Sequence, residues 1–302
     1  MSMVKRLVSI ALSALLILSL ASCTRPHGQP EVTTVHETSG DTKNEEISDD
    51  PSEGDKNTEA DSGDTEKAPV ADTEKTPVKI NRKDGKVVIC IDPGHGFGDV
   101  GCSTPYLDGY EKDVTLKLSE ALAKELENNG ATVVFTHDGN SFPSLYEIKT
   151  EADRYGVEYD EAKMDDNDIF GKYERAVWQN VLDKKYTLDM FISLHVNTIE
   201  GYPDIEGASV DYCINNPYRD MLADFCESLE EAFTENGVSK SVTIFEDEMD
   251  MAYTVTKYST APSVLIEAGY GTCPAEAARI NSESWREKFA QVLCETVLQY
   301  CE

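Results

Sequence analysis

The chain has 302 residues, 40% of them hydrophobic, and a formal net charge of −30 at pH 7. Residues 1–80 carry 8 Lys and Arg against 15 Asp and Glu, so −23 of that charge lies beyond residue 80. A domain this acidic repels nucleic acid and anionic lipid headgroups, and we therefore expect no nucleic-acid partner.

The first 22 residues have the build of a secretory signal peptide. Lys5 and Arg6 precede an apolar run over 7–20, which is short for a membrane span of roughly 20 residues. An uncleaved membrane anchor is the alternative. The run ends in "LASC", which resembles a bacterial lipobox. This resemblance implies that Cys23 is the lipidated first residue of a mature protein held outside the cytoplasm on the bacterial cell membrane.

Residues 23–84 are predicted to form an acidic, disordered linker. Acidic residues, Thr, Ser and Gly dominate here, and "DTEKAPV" at 64–70 recurs as "DTEKTPV" at 72–78. Such a segment buries too little apolar surface to offset its ordering entropy. A single folded domain is predicted over 85–302, a length that allows a substantial core.

Strand and helix patterns alternate along this domain. The predicted strands are "KVVICID", "ATVVFTH", "TLDMFISLHVN", "GASVDYC", "SVTIF" and "PSVLIEAG". The predicted helices are "EKDVTLKLSEALAKELENNG", "GKYERAVWQNVLDKK", 217–236 and "SESWREKFAQVLCETVLQY". This order predicts an α/β fold, with a mostly parallel or mixed sheet flanked by helices on both faces. The acidic stretch between Gly139 and Gly171 is interpreted as a surface excursion, with a lid or an inhibitory plug as alternatives.

The glycine turn after the first predicted strand raises the question of a nucleotide site. "GFGDVG" at 96–101 matches the G-x-G-x-x-G fingerprint. That fingerprint needs a helix to begin within the glycines, so that its N-terminus meets a pyrophosphate. Here "CSTPYLDGYEKD" intervenes, and the second strand does not end in the expected acidic residue. The turn therefore does not predict nucleotide binding.

A metal site is the stronger hypothesis for this turn. His95 follows the first predicted strand, Glu111 opens the first helix, and His195 lies near the end of "FISLHVN". Two imidazoles and a carboxylate leave a fourth position on Zn²⁺ for a water whose pKa falls to about 7. Simpler explanations are satisfied polar histidines at strand ends and a glutamate that complements a helix dipole. Spacing alone leaves both explanations open.

Four motifs, taken together and in order, carry a family resemblance. "IDPGHGFGDVGC", "EKDVTLKLSEAL", "FISLHVN" and "SVLIEAGY" resemble the zinc-dependent N-acetylmuramoyl-L-alanine amidases of the type 3 family, over essentially the whole domain. The resemblance implies that His95, Glu111 and His195 bind one Zn²⁺ and that Glu267 is the catalytic general base. It implies a peptidoglycan hydrolase that cleaves the amide bond between N-acetylmuramic acid and L-alanine by means of a zinc-activated water.

Further positions follow from the same resemblance. Arg175 and Asn180 match helix positions of the family, and Asn197 follows the second histidine, so all three are candidates for contacting substrate or supporting the site. His137 departs from the family, which usually carries arginine there. We interpret His137 as an exposed strand-end residue, with a substrate or supporting role as the alternative.

Two other functions remain open from the sequence. One is a wall-binding or regulatory lipoprotein that keeps the amidase fold without turnover. The other is a zinc peptidase that uses the same ligand set. The presence of all three ligands together with Glu267 favours an enzyme. The sequence leaves the oligomeric state undetermined.

Overall fold

The computed structural model describes residues 85–164 and 170–301. The predicted signal peptide over 1–22, Cys23 and the predicted linker over 23–84 lie outside these residues. No helix in the described part of the chain combines the length and the apolar character needed to cross a membrane.

Within the described residues, six strands form one sheet. They are β1 (Val88–Pro93), β2 (Thr132–Phe135), β3 (Met190–Asn197), β4 (Ala208–Cys213), β5 (Val242–Asp247) and β6 (Ser263–Tyr270). The order across the sheet is β2-β1-β3-β6-β4-β5. Strands β2, β1, β3 and β6 run parallel, whereas β4 is antiparallel to β6 and parallel to β5. The sheet is therefore mixed, and mostly parallel.

The helices are α1 (Glu111–Asn128), α2 (Leu145–Tyr155), α3 (Lys172–Tyr186), α4 (Arg219–Glu235), α5 (Thr254–Lys257), α6 (Pro274–Asn281) and α7 (Glu283–Cys301). Helices α1, α3, α4 and α7 lie where apolar periodicity predicted helices. Helices α2, α5 and α6 were not predicted, and neither was the short 3-10 helix Glu161–Lys163.

The larger core lies between one face of the sheet and helices α1, α4 and α7. Leu118 and Leu122 of α1 are fully buried in it, because their spacing of four residues places both on the face of α1 that meets the sheet. Phe233 of α4 and Phe289 of α7 pack with their ring centroids 5.1 Å apart. Helix α7 thereby joins α4 to the rest of this layer.

The opposite face of the sheet is covered by α3. Leu182 of α3 packs with Cys90 of β1 and Phe191 of β3 in a smaller core. Helix α2 then packs on α3, with Ile148 and Val181 in a third cluster. Helices thus cover both faces, and the predicted α/β architecture is confirmed. The described part of the excursion is a layer with its own small core outside α3.

Candidate metal centre

Three side chains from separate elements meet at the carboxyl end of the parallel strands. His95 lies in the loop after β1, Glu111 is the first residue of α1, and His195 belongs to β3. Nε2 of His95 and Nδ1 of His195 each lie 3.1 Å from the same oxygen, Oε1 of Glu111. One ligand atom from each residue can be chosen so that all three lie within 4.8 Å of one another. The structure therefore brings together the three ligands expected from the sequence.

This donor set fits a zinc ion. Tetrahedral zinc with bonds of about 2.0–2.1 Å to nitrogen and oxygen places neighbouring donor atoms about 3.3 Å apart. The two separations of 3.1 Å on Glu111 are close to that spacing, and the widest separation among the three donor atoms, at most 4.8 Å, would shorten around an ion. Two imidazoles and one carboxylate also match the three protein ligands of catalytic zinc sites, which keep a fourth position for water or substrate.

The electrostatics of Glu111 and His95 favour a cation. Burial would raise the pKa of Glu111, but His195 and His95 lower it well below its ordinary value. Burial lowers the pKa of His95, yet hydrogen bonds to Asp99 and Glu111 outweigh that effect and raise the pKa to about 10. A divalent ion competes with protons for such imidazoles, because the nitrogen must be unprotonated to bind it.

Two glycines let the backbone approach these side chains closely. A Cβ atom on Gly94 would lie 2.5 Å from Cε1 of His195. A Cβ atom on Gly101 would lie 2.7 Å from both Oε2 of Glu111 and Cδ2 of His95, and the φ of Gly101 is 68°. The glycines of the turn therefore serve the close packing of backbone against the ligands.

Glu267 lies beside this group on β6. It pairs with His195 of β3 in the parallel register, so the two side chains are neighbours on one face of the sheet. Glu267 is 7% exposed, and its buried Oε2 has no hydrogen-bond partner in the described part of the chain. Burial, and next the charge of Glu111, raise the pKa of Glu267 well above its ordinary value. A cation on the neighbouring ligands would favour the ionised form, which suits a group that exchanges a proton.

Comparison with known proteins decides the family. A family model described as N-acetylmuramoyl-L-alanine amidase matches residues 89–299, well over half of the chain. The chain belongs to the N-acetylmuramoyl-L-alanine amidase family. The resemblance drawn from the four sequence motifs is thereby confirmed.

Individual amidase relatives agree with this assignment. The "Probable cell wall amidase LytH" of Staphylococcus epidermidis is 26% identical over 222 residues, which cover 73% of this chain and 60% of that protein. The amidase AmiC2 of Nostoc punctiforme is 26% identical with a TM-score of 0.52, over 72% of this chain and 97% of that one. An N-acetylmuramoyl-L-alanine amidase from Clostridium difficile 630 shares the fold, with a TM-score of 0.53 at 22% identity over 71% of this chain and 96% of that one.

A carboxylate lies behind the candidate ligand His95. Oδ2 of Asp99 lies 2.8 Å from Nδ1 of His95, the ring nitrogen that faces away from Glu111. Such a carboxylate fixes the tautomer of a metal-binding histidine and strengthens it as a ligand. Asp99 was not predicted from the sequence, although an acidic residue four positions after a candidate ligand, in the same turn, was a usable signal.

Arg175 holds the backbone of the same loop. Its Nη1 donates to Oδ1 of Asp92 at 2.9 Å and to the carbonyl of Pro93 at 3.0 Å, and its Nη2 donates to the carbonyl of His95. Burial disfavours the ionised form of Asp92, but the charge of Arg175, together with smaller contributions that include the hydroxyls of Thr136 and Ser193, lowers the pKa of Asp92 below its ordinary value. These contacts show that Arg175 supports the loop after β1, which carries His95.

The interpretation of His137 as an exposed residue is wrong, because it is 5% exposed. Phe170, from the end of the excursion, packs against its ring and covers the strand end. The backbone N–H of Gly139 donates to Nδ1, so Nε2 carries the proton and donates to the carbonyl of Pro93 at 2.7 Å. Burial and the charge of Arg175 lower the pKa of His137 below its ordinary value. His137 thus acts as a neutral hydrogen-bond donor to the loop after β1.

The two asparagines occupy different places. Asn180 donates to the carbonyl of Tyr258 and accepts from the backbone N–H of Thr260. These contacts lie before the start of β6, at the opposite end of that strand from Glu267, so the structure does not bring Asn180 to the ligands. Asn197 ends β3 two residues after His195, and its buried Nδ2 has no hydrogen-bond partner among the described residues.

Proposed function

We propose that the protein is a lipid-anchored zinc hydrolase that cleaves the amide bond between N-acetylmuramic acid and L-alanine in peptidoglycan. The observation that carries the proposal is the meeting of His95, Glu111 and His195 around one point beside Glu267. Membership of the amidase family supports the same reaction. The relative LytH, by its printed name, is a cell wall amidase, which supports peptidoglycan as the substrate.

The residues would divide the reaction as follows. His95, Glu111 and His195 would hold the zinc ion, which would polarise the scissile carbonyl and acidify the attacking water. Glu267 accepts the proton of that water at its carboxylate and delivers it to the departing amide nitrogen. The buried, unpartnered Oε2 of Glu267 supports this role, because nothing else in the described protein competes for it.

Three of the other predicted residues would act around this centre. Arg175 and His137 position His95 through the backbone of its loop. The unpartnered Nδ2 of Asn197 is a donor for an oxygen of the substrate, since a buried donor gains a full hydrogen bond when a ligand supplies the acceptor.

The N-terminal part would place the enzyme at the cell wall. We propose that the signal peptide over 1–22 is removed, that Cys23 is lipidated, and that the linker over 23–84 acts as a tether outside the cytoplasm. About 60 residues of flexible chain have an r.m.s. span of roughly 40 Å, which lets a membrane-anchored domain reach wall strands above the bilayer.

The test measures bound metal and reaction products on the purified full chain. We expect about one zinc per chain and, after digestion of peptidoglycan, stem peptides that begin with alanine in the mass spectrum. Glu267→Gln should retain zinc and lose product formation. The matched control Glu246→Gln changes an exposed carboxylate on β5 and should keep both. Full activity of Glu267→Gln would refute the assigned base.

The same experiment separates the two alternative functions. A zinc peptidase would release fragments with new termini inside the stem peptide, and the bond to the lactyl group would stay intact. A regulatory or wall-binding protein would bind peptidoglycan and release no stem peptides, even with zinc bound.

A further inference from the structure

The loop that carries His95 adopts a backbone conformation that its residues disfavour. His95 has a φ of 65° and Phe97 a φ of 48°, both in the left-handed region where a side chain crowds the backbone. Two non-glycine residues in this region within three positions persist only where the surroundings hold them. The contacts of Phe97 therefore bear on the position of His95.

Phe97 is held by an aromatic cluster, which we define as Phe97, His137, Phe142 and Phe170. The ring centroid of Phe97 lies 4.3 Å from that of Phe142 and 5.3 Å from that of His137. Phe142 in turn stacks on Phe170 at 5.6 Å, and Phe170 meets His137 edge to face at 6.0 Å. The three longer contacts fall in the range of about 4.5–7 Å in which aromatic pairs stabilise one another beyond simple burial, and the contact between Phe97 and Phe142 is slightly closer.

Two members of the aromatic cluster come from the excursion. Phe142 precedes α2, and Phe170 ends the excursion just before α3. The excursion is itself anchored, because Ile148 of α2 packs in a common core with Val177 and Val181 of α3. The excursion therefore connects a packed helical layer directly to the loop that carries His95.

A second route leads from the aromatic cluster to the same histidine. The guanidinium of Arg175 lies over the ring of Phe170, 4.8 Å from its centroid, and its Nε donates to the carbonyl of Phe170. The same guanidinium donates to the carbonyl of His95. Phe170 thus fixes the position of Arg175, while Phe142 fixes that of Phe97.

We propose that the excursion supports the metal centre. In this proposal Phe142 is a positioning residue that holds the loop containing Phe97, and through that loop His95, in the conformation that binds zinc. This inference rests on the proposed function, because it takes His95 as a zinc ligand. It gives the segment between Gly139 and Gly171 a role that differs from a lid or a plug over the site. The described residues Phe142 and Phe170 are sufficient for this role.

The test is a double-mutant cycle read out as zinc affinity, without substrate. The full chain, Phe97→Ala, Phe142→Ala and the double variant are titrated against a fluorescent zinc chelator. Each single variant should bind zinc roughly tenfold more weakly, in the range typical for lost support of a metal ligand. The double variant should also lose about tenfold rather than a hundredfold, because both changes remove the same contact.

Controls separate positioning from loss of stability. Leu229→Ala weakens the larger core on the face of the sheet opposite α3, and should lower the melting temperature while leaving zinc affinity unchanged. Phe142→Leu keeps most of the apolar contact and should restore most of the affinity. Phe97 lies in a surface loop and is half-buried, so Phe97→Ala tests the contact even if Phe142→Ala does not fold.

The outcomes distinguish this inference from the proposed function. Wild-type zinc affinity in both single variants, or losses of affinity that multiply in the double variant, would overturn the proposed positioning of His95 by Phe142. The amidase proposal would still stand in that case. Equal loss of zinc affinity in Leu229→Ala would show that zinc affinity follows overall stability, and would also overturn the proposed positioning. A wild-type chain that binds no zinc would overturn the proposed function and this inference together.

Discussion

Replacing Arg175 by Met tests how the loop after β1 is held. The variant keeps the hydrogen bonds that the hydroxyls of Thr136 and Ser193 donate to the Asp92 carboxylate. It removes the guanidinium whose Nη1 lies 2.9 Å from Oδ1 of Asp92. Asp92 is 1% exposed, so water cannot replace the guanidinium. Removing one partner of a buried ion pair costs about 3–5 kcal/mol. Because the hydroxyls remain, we expect a loss of unfolding free energy of about 3 kcal/mol at pH 7.

This loss should depend on pH with a definite sign. In the wild type the pKa of Asp92 lies below its unfolded value of about 3.9, so its pairing stabilises the fold above that pH and the contribution disappears as the pH falls. Without Arg175, burial dominates and raises the pKa of Asp92. The variant then loses stability as the pH rises from about 4 towards the raised pKa. The difference between the two proteins should therefore grow from pH 4 to pH 7.

Urea unfolding followed by circular dichroism at several pH values measures this difference. A chelator is included throughout, because a metal that binds only the folded state would add its own stabilisation. The control Arg219→Met breaks an exposed pair with Glu246, 3.0 Å apart, and should change stability little. A loss below about 1 kcal/mol for Arg175→Met at pH 7, or an equal loss at pH 4 and pH 7, would refute this account of the buried pair.

Two further predictions concern the proposed zinc ligands, and both are checked by competition with a zinc chelator. Gly101→Ala places a methyl group 2.7 Å from Glu111 and His95, so zinc affinity should fall by at least tenfold. Gly98→Ala, with a φ of 99° and no atom near its Cβ, reports the backbone strain alone and should keep most of the affinity. Asp99→Asn removes the carboxylate that supports His95 and should weaken zinc binding roughly 10–100-fold. Unchanged affinity in either ligand-site variant would contradict the geometry described for it.

Local patterns in the sequence were enough to predict most of the strands and the long helices. Some of the helices that were not predicted also have recognisable start and stop signals in the sequence. Helix α2 begins after Ser144, whose hydroxyl accepts from the backbone N–H of Glu147, and ends at Gly156 in the left-handed conformation. These are ordinary helix start and stop signals. They were missed because the acidic composition of the excursion obscured the apolar positions Ile148 and Ala152.

The reversal of β4 relative to β6 also had a sequence signal. The connection between β3 and β4 covers only 198–207 and contains no helical pattern. A parallel return in the same sheet needs a crossover of a dozen or more residues, usually with a helix. A short connection without a helix therefore indicates an antiparallel strand, which is what the structure has.

The site could be predicted only in part, for a physical reason. Residue type and position at strand ends made His95 and His195 candidates, because carboxyl ends of parallel strands share one edge. Glu111 opens a helix, and the family resemblance was needed to set aside the simpler explanations for all three residues. The environment of His137 was not predictable in this way, since it depends on Phe170 folding back over β2 from a distant part of the chain. Burial by a residue that is distant in the sequence leaves no signal in the hydrophobic pattern around the buried residue.

The most direct test of the central claim is a crystal structure of the zinc-loaded full chain with anomalous scattering recorded at the zinc edge. We expect one zinc peak, bonded to Nε2 of His95, Nδ1 of His195 and a carboxylate oxygen of Glu111 at about 2.0–2.2 Å. Glu267 should face the remaining coordination position. A peak at other residues, or no peak at saturating zinc, would contradict the account.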